Sequence, residues 1–425
     1  MKLKYQLDDK PKLGALLLYG LQWWVVTLPC VIIMGVIVAR LHYPDPALQI
    51  FYVQRLFAVM GVVTVIQVLW GHRLPLVVGP ATILLVGLVA TVASGINAVY
   101  TAILIGGLAL ALVAFSGLLA KIRFLFTPRI VAVILVLIAF TMSPTILKLI
   151  FSGGDHAAHL AFALLFVLGL ILCNTFLPGV WKSLTVVLGM SLGSLVYFLL
   201  FGFEGLVQPA PIKDFSLFSI LIDKLDFEPG VVLSFLICFL ALLINELGSI
   251  ESVGHMLGAD KMDGRVRRGA GIAGLSNMAA GGLGVLGSVD FSLSAGVILA
   301  TGCASRYTLI PAGIGLVACA FIPGAVMVLS AIPSPIMGAL MLYLMSTQLA
   351  SGLGMLVTEK GIADFNSGLV VSLPLMVGLI VAFAPASAFE GLGPLLRPIV
   401  GNGFVMGTIT VILLEHFVLK KRKQG

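Results

Sequence analysis

The amino-acid sequence predicts an all-α polytopic membrane protein with about fourteen transmembrane segments, arranged as a seven-plus-seven inverted repeat. Three observations support this fold class. Hydrophobic residues make up 60% of the 425 positions and charged residues only 10%, far below the roughly 25% of an average soluble domain. Fourteen apolar stretches follow one another along the chain. Two of them, at matching places in the two halves, are interrupted by glycine and proline, and there we expect short strands and half-helices.

The fourteen apolar stretches, numbered here as segments 1 to 14, are close in length to the ~20 residues that cross a bilayer core as a helix. In chain order they occupy 14–39, 52–71, 74–92, 98–119, 129–150, 157–177, 179–201, 230–257, 269–287, 290–304, 307–330, 333–352, 366–385 and 397–419. Segments 9 and 10 run into each other, which leaves thirteen as the alternative count.

The distribution of charged residues predicts the orientation of the chain. With both termini inside, the basic residues collect on the inner side, at the two ends and in the loops there: Lys2, Lys4, Lys10, Lys12, Arg73, Lys121, Arg123, Lys261, Arg265, Arg267, Arg268, Lys420, Lys421, Arg422 and Lys423. The longest outer loop, 202–229, instead carries several acids. This is the positive-inside pattern, so we expect a multi-pass protein of the cell (inner) membrane with cytoplasmic termini. Nucleic acid is not an expected partner, because the basic residues follow topology.

Segments 3 and 10 are the interrupted pair. Segment 3 begins LPLVVGPAT, with Pro75, Gly79 and Pro80 in its first half, and the approach to segment 10 reads GSVDFSLSAG, with Gly287 and Gly296. Each is the third segment of its half. Paired broken segments mark the substrate site in transporters with inverted repeats, because irregular backbone at membrane depth is tolerated only where it is buried or lines a cavity. The free N–H groups of two half-helices predict a site for a polar or anionic small molecule.

The residues at the starts of the two half-helices are the candidate ligands of that molecule. They are Ala81 and Thr82 in segment 3, and Asp290, Ser292, Leu293 and Ser294 in segment 10. We expect Asp290 or Ser292 to cap its half-helix, and the hydroxyls of Ser292 and Ser294 to face the cavity. The alternative is that Asp290 is a cap without a ligand, because aspartate is a favoured N-cap residue.

Three carboxyl groups lie well inside apolar segments: Glu246 and Glu251 in segment 8, and Asp290. A carboxylate at membrane depth is costly and indicates a function. A buried carboxyl can also hold a proton and release it when its surroundings change, so all three are candidates for proton coupling. Glu246 lies about midway along segment 8 and is favoured as the cavity carboxylate. In the alternative interpretation of Glu251, it pairs with His255, four residues further on, at the inner interface.

The run GLSNMAAGGLGVLGSVDFSLSAGVILATGCASRY resembles the ninth and tenth segments of the nucleobase:cation symporter-2 family, also called nucleobase–ascorbate transporters. The matching positions, without a gap, are Gly274-Leu275, Gly296, Thr301-Gly302 and Ala304-Ser305-Arg306. The strings YGLQWW at 19–24, VVGPAT at 77–82 and IPSPIMG at 332–338 are similar to further motifs of the family. The resemblance therefore covers most of the chain.

The resemblance implies a fold divided into a core domain and a gate domain. The core comprises residues 1–119 and 230–330 (segments 1–4 and 8–11), and the gate comprises residues 120–229 and 331–425. It also implies that a homodimer takes up uracil, xanthine or a similar base with a proton, by moving the core against the gate. The family's base-binding glutamate falls on Glu246 by depth, whereas the string E-x-x-G matches Glu251 better, so this assignment stays open.

At four positions the sequence departs from the family pattern. Leu293 replaces the Gln or Glu of the signature, Ser294 its Asn, Trp23 the first-segment His, and Asp290 the second Thr of a Thr-Thr pair. Leucine cannot hydrogen-bond to a base, and Asp290 is a candidate replacement for the lost carboxylate or amide. Trp23 is a candidate for stacking on the ring, and its alternative role is that of an interfacial anchor.

The predicted function is secondary active transport of a nucleobase, with H⁺ or Na⁺ as the coupling ion. The alternative on the same fold is transport of a small anion or carboxylate. The loss of the signature Gln and Asn favours that alternative, and the carboxyls of Glu246 and Asp290 oppose it. A channel fits discontinuous helices with buried acids less well than alternating access does. An intramembrane enzyme would need a motif such as HExxH, which the sequence lacks. We expect neither a cofactor nor a metal.

Overall fold

The structure of the protein is a computed structural model that describes residues 3–122, 127–152, 155–177, 181, 184–202, 224–291, 294–358 and 361–419. Each of the fourteen apolar stretches contains a helix. The helices of segments 1 to 7 are Leu13–His42, Pro46–Leu69, Thr82–Thr91, Ile96–Phe115, Pro128–Thr141 continued by Ser143–Ile150, His156–Phe176 and Thr185–Phe201. Those of segments 8 to 14 are Pro229–Met256, Met262–Gly282, Ser294–Thr301, Leu309–Ala320 continued by Pro323–Ser330, Ser334–Thr358, Phe365–Phe383 and Gly403–Leu413.

Eight helices of the described chain are long and apolar enough to cross a membrane, judged by length and composition. They lie in segments 1, 2, 4, 5, 6, 8, 12 and 13. The expected count of fourteen crossings is therefore not confirmed. Segments 3 and 10 consist only partly of helix, segments 7, 11 and 14 contain shorter helices, and the helix of segment 9 carries four charged residues within 262–268.

Segments 3 and 10 each consist of a strand followed by a short helix, which confirms the strands and half-helices that their glycine and proline residues predict. Strand β1 (Val77–Pro80) pairs with strand β2 (Ser288–Phe291) in antiparallel register, and Val78 lies opposite Asp290. Because the strands are antiparallel, the two helices that follow them begin at opposite ends of this small sheet.

Two of the closest helix pairs correspond to each other in the inverted repeat. Segment 4 packs on segment 9, and segment 2 packs on segment 11. Exchanging the two halves of the chain turns one pair into the other. Both interfaces depend on glycine: a Cβ on Gly107 would lie 2.3 Å from the backbone nitrogen of Met278, and one on Gly61 would lie 2.5 Å from the carbonyl oxygen of Gly313. Small residues let the helix backbones approach closely, as is common between helices in membranes.

The remaining segments form two groups of contacts. Segment 5 packs on segments 12 and 13, segment 13 on segment 14, and segment 12 on segment 6. Segment 1 packs on segment 11, and segment 8 on segment 4. This arrangement is compatible with a core formed by 1–119 and 230–330 and a gate formed by 120–229 and 331–425. That division stays a prediction.

Candidate functional site

The two ends of the β1–β2 sheet are closed by additional hydrogen bonds. At one end, the N–H of Ala81 donates to the carbonyl of Gly287 at 2.8 Å. At the other end, the Ser294 hydroxyl accepts from the N–H of Val77 at 2.9 Å and donates to the carbonyl of Phe291 at 2.8 Å. The Ser294 side chain is buried and joins the two strands. It does not have the expected cavity-facing direction, because backbone groups at the end of a buried sheet need partners.

The helix of segment 8 covers the outer edge of β2. The N–H of Asp290 donates to Oε2 of Glu246 at 2.9 Å, and Oγ of Ser249 donates to the carbonyl of Asp290 at 2.9 Å. Glu246 and Ser249 are three residues apart and so lie on one face of their helix. The other oxygen of Glu246, Oε1, lies 3.5 Å from Nε2 of Gln67. Two side chains of one helix therefore satisfy both backbone groups of Asp290, which the two-stranded sheet leaves unpaired.

The carboxylate of Asp290 faces a buried histidine. Nε2 of His72 lies 3.2 Å from Oδ2 of Asp290, and the two side chains are 0% and 1% exposed. The N–H of His72 is not aligned for a straight hydrogen bond, so the contact is electrostatic in this conformation. The half-helix of segment 10 begins at Ser294, four positions beyond Asp290. Asp290 itself belongs to the strand that precedes the half-helix, and Ser292, the other expected cap, lies outside the described residues.

Segment 9 supports β2 through polar side chains. The hydroxyls of Ser276 and Ser288 are 2.8 Å apart. Nδ2 of Asn277 donates to the carbonyls of Ser288 at 2.9 Å and Ala273 at 2.7 Å. Gly287 leaves room for this amide, since a Cβ there would lie 1.8 Å from Oδ1 of Asn277. Segments 8 and 9 and the loop that carries His72 therefore hold β2 through buried polar contacts.

The residues with accessible surface near the sheet differ from the buried network. Thr82 and Phe291 are partly accessible and Gly296 is exposed. The ring of Phe291 covers Gly79, whose Cβ would lie 2.3 Å from that ring. Glu251 is also partly accessible. The structure thus brings Glu246 and Asp290 together in the interior and gives Glu251 a more accessible position on the same helix as Glu246.

The remaining candidates from the sequence have other positions. Trp23 is 2% exposed, and its Nε1 donates to Oγ1 of Thr308 at 3.0 Å. It is thus a core residue of segment 1 whose indole N–H is paired inside the protein. Ser292 and Leu293 lie outside the described residues. Among the side chains that the structure describes, no group of three or more His, Cys, Asp or Glu residues is placed to hold a metal ion.

Sequence reasoning missed His72 and Gln67 as members of the network. A signal for Gln67 was available, because it is a polar residue inside the apolar helix of segment 2. His72 stands beside Arg73 just after the helix of segment 2, where the sequence pattern is that of an ordinary loop. Only its burial distinguishes it.

A helical membrane protein whose two discontinuous segments meet through a short buried sheet has the architecture of the secondary transporters with inverted repeats. The sequence pattern of the Permease family matches residues 14–387 of the chain. The protein therefore belongs to the Permease family, and it is a membrane transporter and not an enzyme. This match confirms the resemblance to the nucleobase transporters that the segment 9 and 10 motifs indicated.

Relatives of the chain are known as transporters by name. It is 26% identical over 383 residues to the nucleobase transporter PlUacP of Paenibacillus larvae, in an alignment that covers 86% of each chain. It is 24% identical over 385 residues to the uric acid permease PucJ of Bacillus subtilis, which covers 86% of this chain and 84% of that one. These identities describe a divergent member of the family.

Solved structures share the fold at lower sequence identity. The transmembrane domain of the cyanobacterial bicarbonate transporter BicA is 14% identical with a TM-score of 0.65, and the match covers 89% of this chain and 98% of that domain. The murine anion transporter Slc26a9 in its inward-facing state is 15% identical with a TM-score of 0.59, over 95% of this chain and 69% of that one. At such identities the likeness concerns the fold alone.

Proposed function

We propose that the protein imports a purine-type nucleobase together with a proton, by movement of its core domain against its gate domain. The relatives named above carry nucleobase or uric acid in their names, and a xanthine permease of Bacillus subtilis is 24% identical to the chain. The observation that carries the proposal is the meeting of Glu246 and Asp290 at the discontinuous segments of a Permease family member.

Glu246 and Asp290 are the proposed proton-coupling pair. The backbone N–H of Asp290 binds the Glu246 carboxyl, and both side chains are buried. Two carboxylates so close together, away from water, are costly to ionise at the same time. At least one of them therefore keeps a proton until the surroundings change. A transport cycle that alters those surroundings would take up this proton on one side of the membrane and release it on the other.

The base itself is proposed to bind at the starts of the two half-helices. Thr82 has accessible surface there, and Ser292 and Leu293 directly precede the second half-helix. We assign the carboxylate that binds the edge of the base to Glu251, because the Glu251 side chain is partly accessible and the Glu246 side chain is fully buried.

Three of the candidate ligands are proposed to shape the site without touching the base. The N–H of Ala81, the hydroxyl of Ser294 and the indole N–H of Trp23 all have partners within the fold. A buried group that already has a hydrogen-bond partner must give up that bond to bind a ligand, so the net gain in binding free energy is small. These residues therefore define the backbone and the walls around the base.

A small anion is the second candidate substrate. The observation that favours it is the pair of half-helix N-termini, whose free N–H groups and dipoles attract negative charge. The carboxyls of Glu246 and Asp290 would repel an anion unless both were protonated. The nucleobase is therefore the better-supported substrate.

We also propose that the protein lies in the cell inner membrane as a homodimer, with both termini in the cytoplasm and H⁺ as the coupling ion in preference to Na⁺. The distribution of Lys and Arg supports the orientation. The buried carboxyl pair supports the proton.

Thermal stabilisation of the purified protein by a panel of ligands tests the substrate. A ligand that binds only the folded state at 100 times its dissociation constant adds about 2.7 kcal/mol to the free energy of unfolding. The panel comprises xanthine, uric acid, uracil, bicarbonate and chloride, measured on wild type, Glu251→Gln and Glu246→Gln. We expect stabilisation by an oxopurine that is lost in Glu251→Gln and kept in Glu246→Gln. Stabilisation by an anion and by none of the bases would refute the proposal.

A further inference from the structure

We propose that His72 is a positioning residue for the coupled proton: a neutral imidazole whose Nε2–H faces Asp290, hydrogen-bonds to its carboxylate when Asp290 ionises, and does not itself carry the proton. The inference rests on the proposed proton coupling. It adds a residue from a different element, the loop 70–76 between segment 2 and β1. Asp290 carries the proton, and His72 supplies the hydrogen-bond donor that faces it.

The hydrogen bonds of His72 determine its tautomer. The N–H of Leu74 donates to Nδ1 of His72 at 2.9 Å. A backbone N–H can only donate, so Nδ1 carries no proton, and the single N–H of the neutral ring is at Nε2. Nε2 is the atom that lies 3.2 Å from Oδ2 of Asp290. An imidazolium would need a second proton at Nδ1 and would break the bond to Leu74. In this conformation His72 is therefore neutral and directs its only polar hydrogen to the Asp290 side.

The loop that carries His72 is held in place by segment 9. Nη1 of Arg265 donates to the carbonyls of His72 at 3.1 Å and Arg73 at 2.9 Å. Nε of Arg268 donates to the carbonyl of Gly71 at 3.3 Å. Arg73 has a φ of 56°, in the left-handed region that non-glycine residues rarely adopt. Such backbone strain persists only where the surroundings enforce it, and it is concentrated at functional positions.

Among the charged and titratable side chains that the structure describes, His72 is the one whose nitrogen forms a close pair with the Asp290 carboxylate. Glu246 faces Asp290 from segment 8, and it offers a carboxyl and no N–H. Arg265 and Arg306 exert their charge on His72 from the cytoplasmic side. Neither arginine contacts the Asp290 carboxylate among the described hydrogen bonds and ion pairs.

Both arginines have acidic partners of their own. Nη2 of Arg265 bonds Oδ1 of Asp260 at 3.0 Å, and Nε of Arg306 bonds Oδ1 of Asp8 at 2.7 Å. The bond from Arg265 holds the pKa of Asp260, which lies in the loop before segment 9, below its usual value. The charge of each arginine is thus directed to the surface and away from β2.

His72 also connects the two strands. Its Nδ1 is bound to Leu74, three residues before β1 begins, and its Nε2 faces Asp290 in β2. A displacement of β1 when a substrate binds next to Thr82 would move the donor relative to Asp290. Hydrogen bonding to a carboxylate favours its ionised form, so the displacement would change how firmly Asp290 holds its proton. This is a direct physical link between the proposed base site and the proton.

Infrared spectroscopy of the purified protein tests this inference without a substrate. The infrared carbonyl band of protonated carboxylic acids is followed as the pH is raised. The component of this band that is absent from the Asp290→Asn variant is assigned to Asp290. Glutamine can imitate a neutral histidine, with an oxygen as acceptor and an N–H as donor. We expect His72→Gln to keep the pH midpoint of the Asp290 band, and His72→Phe to raise it by about one pH unit, the equivalent of one charged hydrogen bond. His156→Gln, at an exposed histidine, is the matched control and should leave the midpoint unchanged.

Transport in proteoliposomes provides the second readout. Uptake of xanthine driven by a pH gradient should be lost in Asp290→Asn and retained in His72→Gln. In His72→Phe, the pH dependence of uptake should shift to higher pH. Loss of gradient-driven uptake in His72→Gln, or a midpoint of the Asp290 band that does not move in His72→Phe, would overturn the inference. If the wild type transports no base while the infrared shift is observed, the proposed function fails and the role of His72 in holding Asp290 stands.

Discussion

Glu246 combines two roles that depend on different properties of one side chain. Its Oε2 accepts the N–H of Asp290 and so completes the edge of β2, which requires only an oxygen acceptor. Its proposed part in proton coupling requires a group that can ionise. Substitutions that keep the acceptor but remove the ionisation can therefore separate structure from coupling at this residue.

Glu246→Ala should destabilise the protein and Glu246→Gln should not. Alanine leaves the N–H of Asp290 buried without an acceptor, which costs about 1–3 kcal/mol of unfolding free energy. Glutamine supplies an oxygen in the same place. Thermal melting of the purified variants in detergent measures the difference. In proteoliposomes, both variants should lose uptake driven by a pH gradient. Equal melting temperatures for the two variants would contradict the assigned hydrogen bond.

The interface of segments 4 and 9 depends on glycine at the level of whole elements. A Cβ on Gly107 would lie 2.3 Å from the nitrogen of Met278, and one on Gly274 would lie 2.3 Å from the nitrogen of Ala111. In both cases the nearest atom belongs to the backbone and cannot rotate away. The two helices can therefore relieve the clash only by moving apart.

Gly107→Ala should consequently lower the melting temperature, by an overpacking cost of about 1–3 kcal/mol. Gly248→Ala is the matched control, because it also lies within a helix and a Cβ there would meet no heavy atom within 4 Å. It should melt at the wild-type temperature or slightly above, since alanine favours a helix over glycine. A Gly107→Ala protein as stable as this control would show that the two helices can move apart at no cost.

The N-terminal arm, residues 3–9, pairs with the chain that follows the half-helix of segment 10. The N–H of Lys4 donates to Gly302 at 2.7 Å, that of Ala304 to Tyr5 at 2.9 Å and that of Arg306 to Leu7 at 3.1 Å. This extended pairing holds the chain that follows the half-helix of segment 10 against the arm. It satisfies backbone groups that a short helix followed by a loop leaves open.

Deletion of residues 1–9 should therefore lower the melting temperature and make the chain near 302–306 accessible to protease. Lys4→Ala removes a side chain but keeps the backbone bonds of the arm, so it should behave like the wild type. Melting curves and limited proteolysis of the two proteins measure the effect. A deletion that melts and is cleaved like wild type would show that the arm contributes nothing to this end of segment 10.

The whole molecule has an orientation in the membrane that its charges predict. A green fluorescent protein fused to the C-terminus should fluoresce in intact bacteria, because both termini are proposed to be cytoplasmic. Alkaline phosphatase inserted in the loop 202–229 should be active, because that loop is proposed to lie outside. Inactive phosphatase in that loop together with a dark C-terminal fusion would indicate the reverse orientation.

The sequence by itself determined the class of protein and the places where its helices break. Apolar stretches of membrane length, glycine and proline in segments 3 and 10, and carboxyls inside segments 8 and 10 are local properties that can be read without coordinates. From them follow the membrane fold, the strands and half-helices, and the candidates Glu246 and Asp290. The residues of segments 9 and 10 also indicated the family.

Only the tertiary structure decided which groups meet. His72 and Glu246 are far apart in the chain, and they converge on Asp290 because segments 2 and 8 pack beside a sheet built from both halves. Gln67, from segment 2, reaches Glu246 in the same way. The same packing paired the Ser294 hydroxyl with Val77 and buried Trp23 against Thr308. A polar side chain at membrane depth must find a partner, but the sequence cannot say which one, because that choice depends on distances between distant segments.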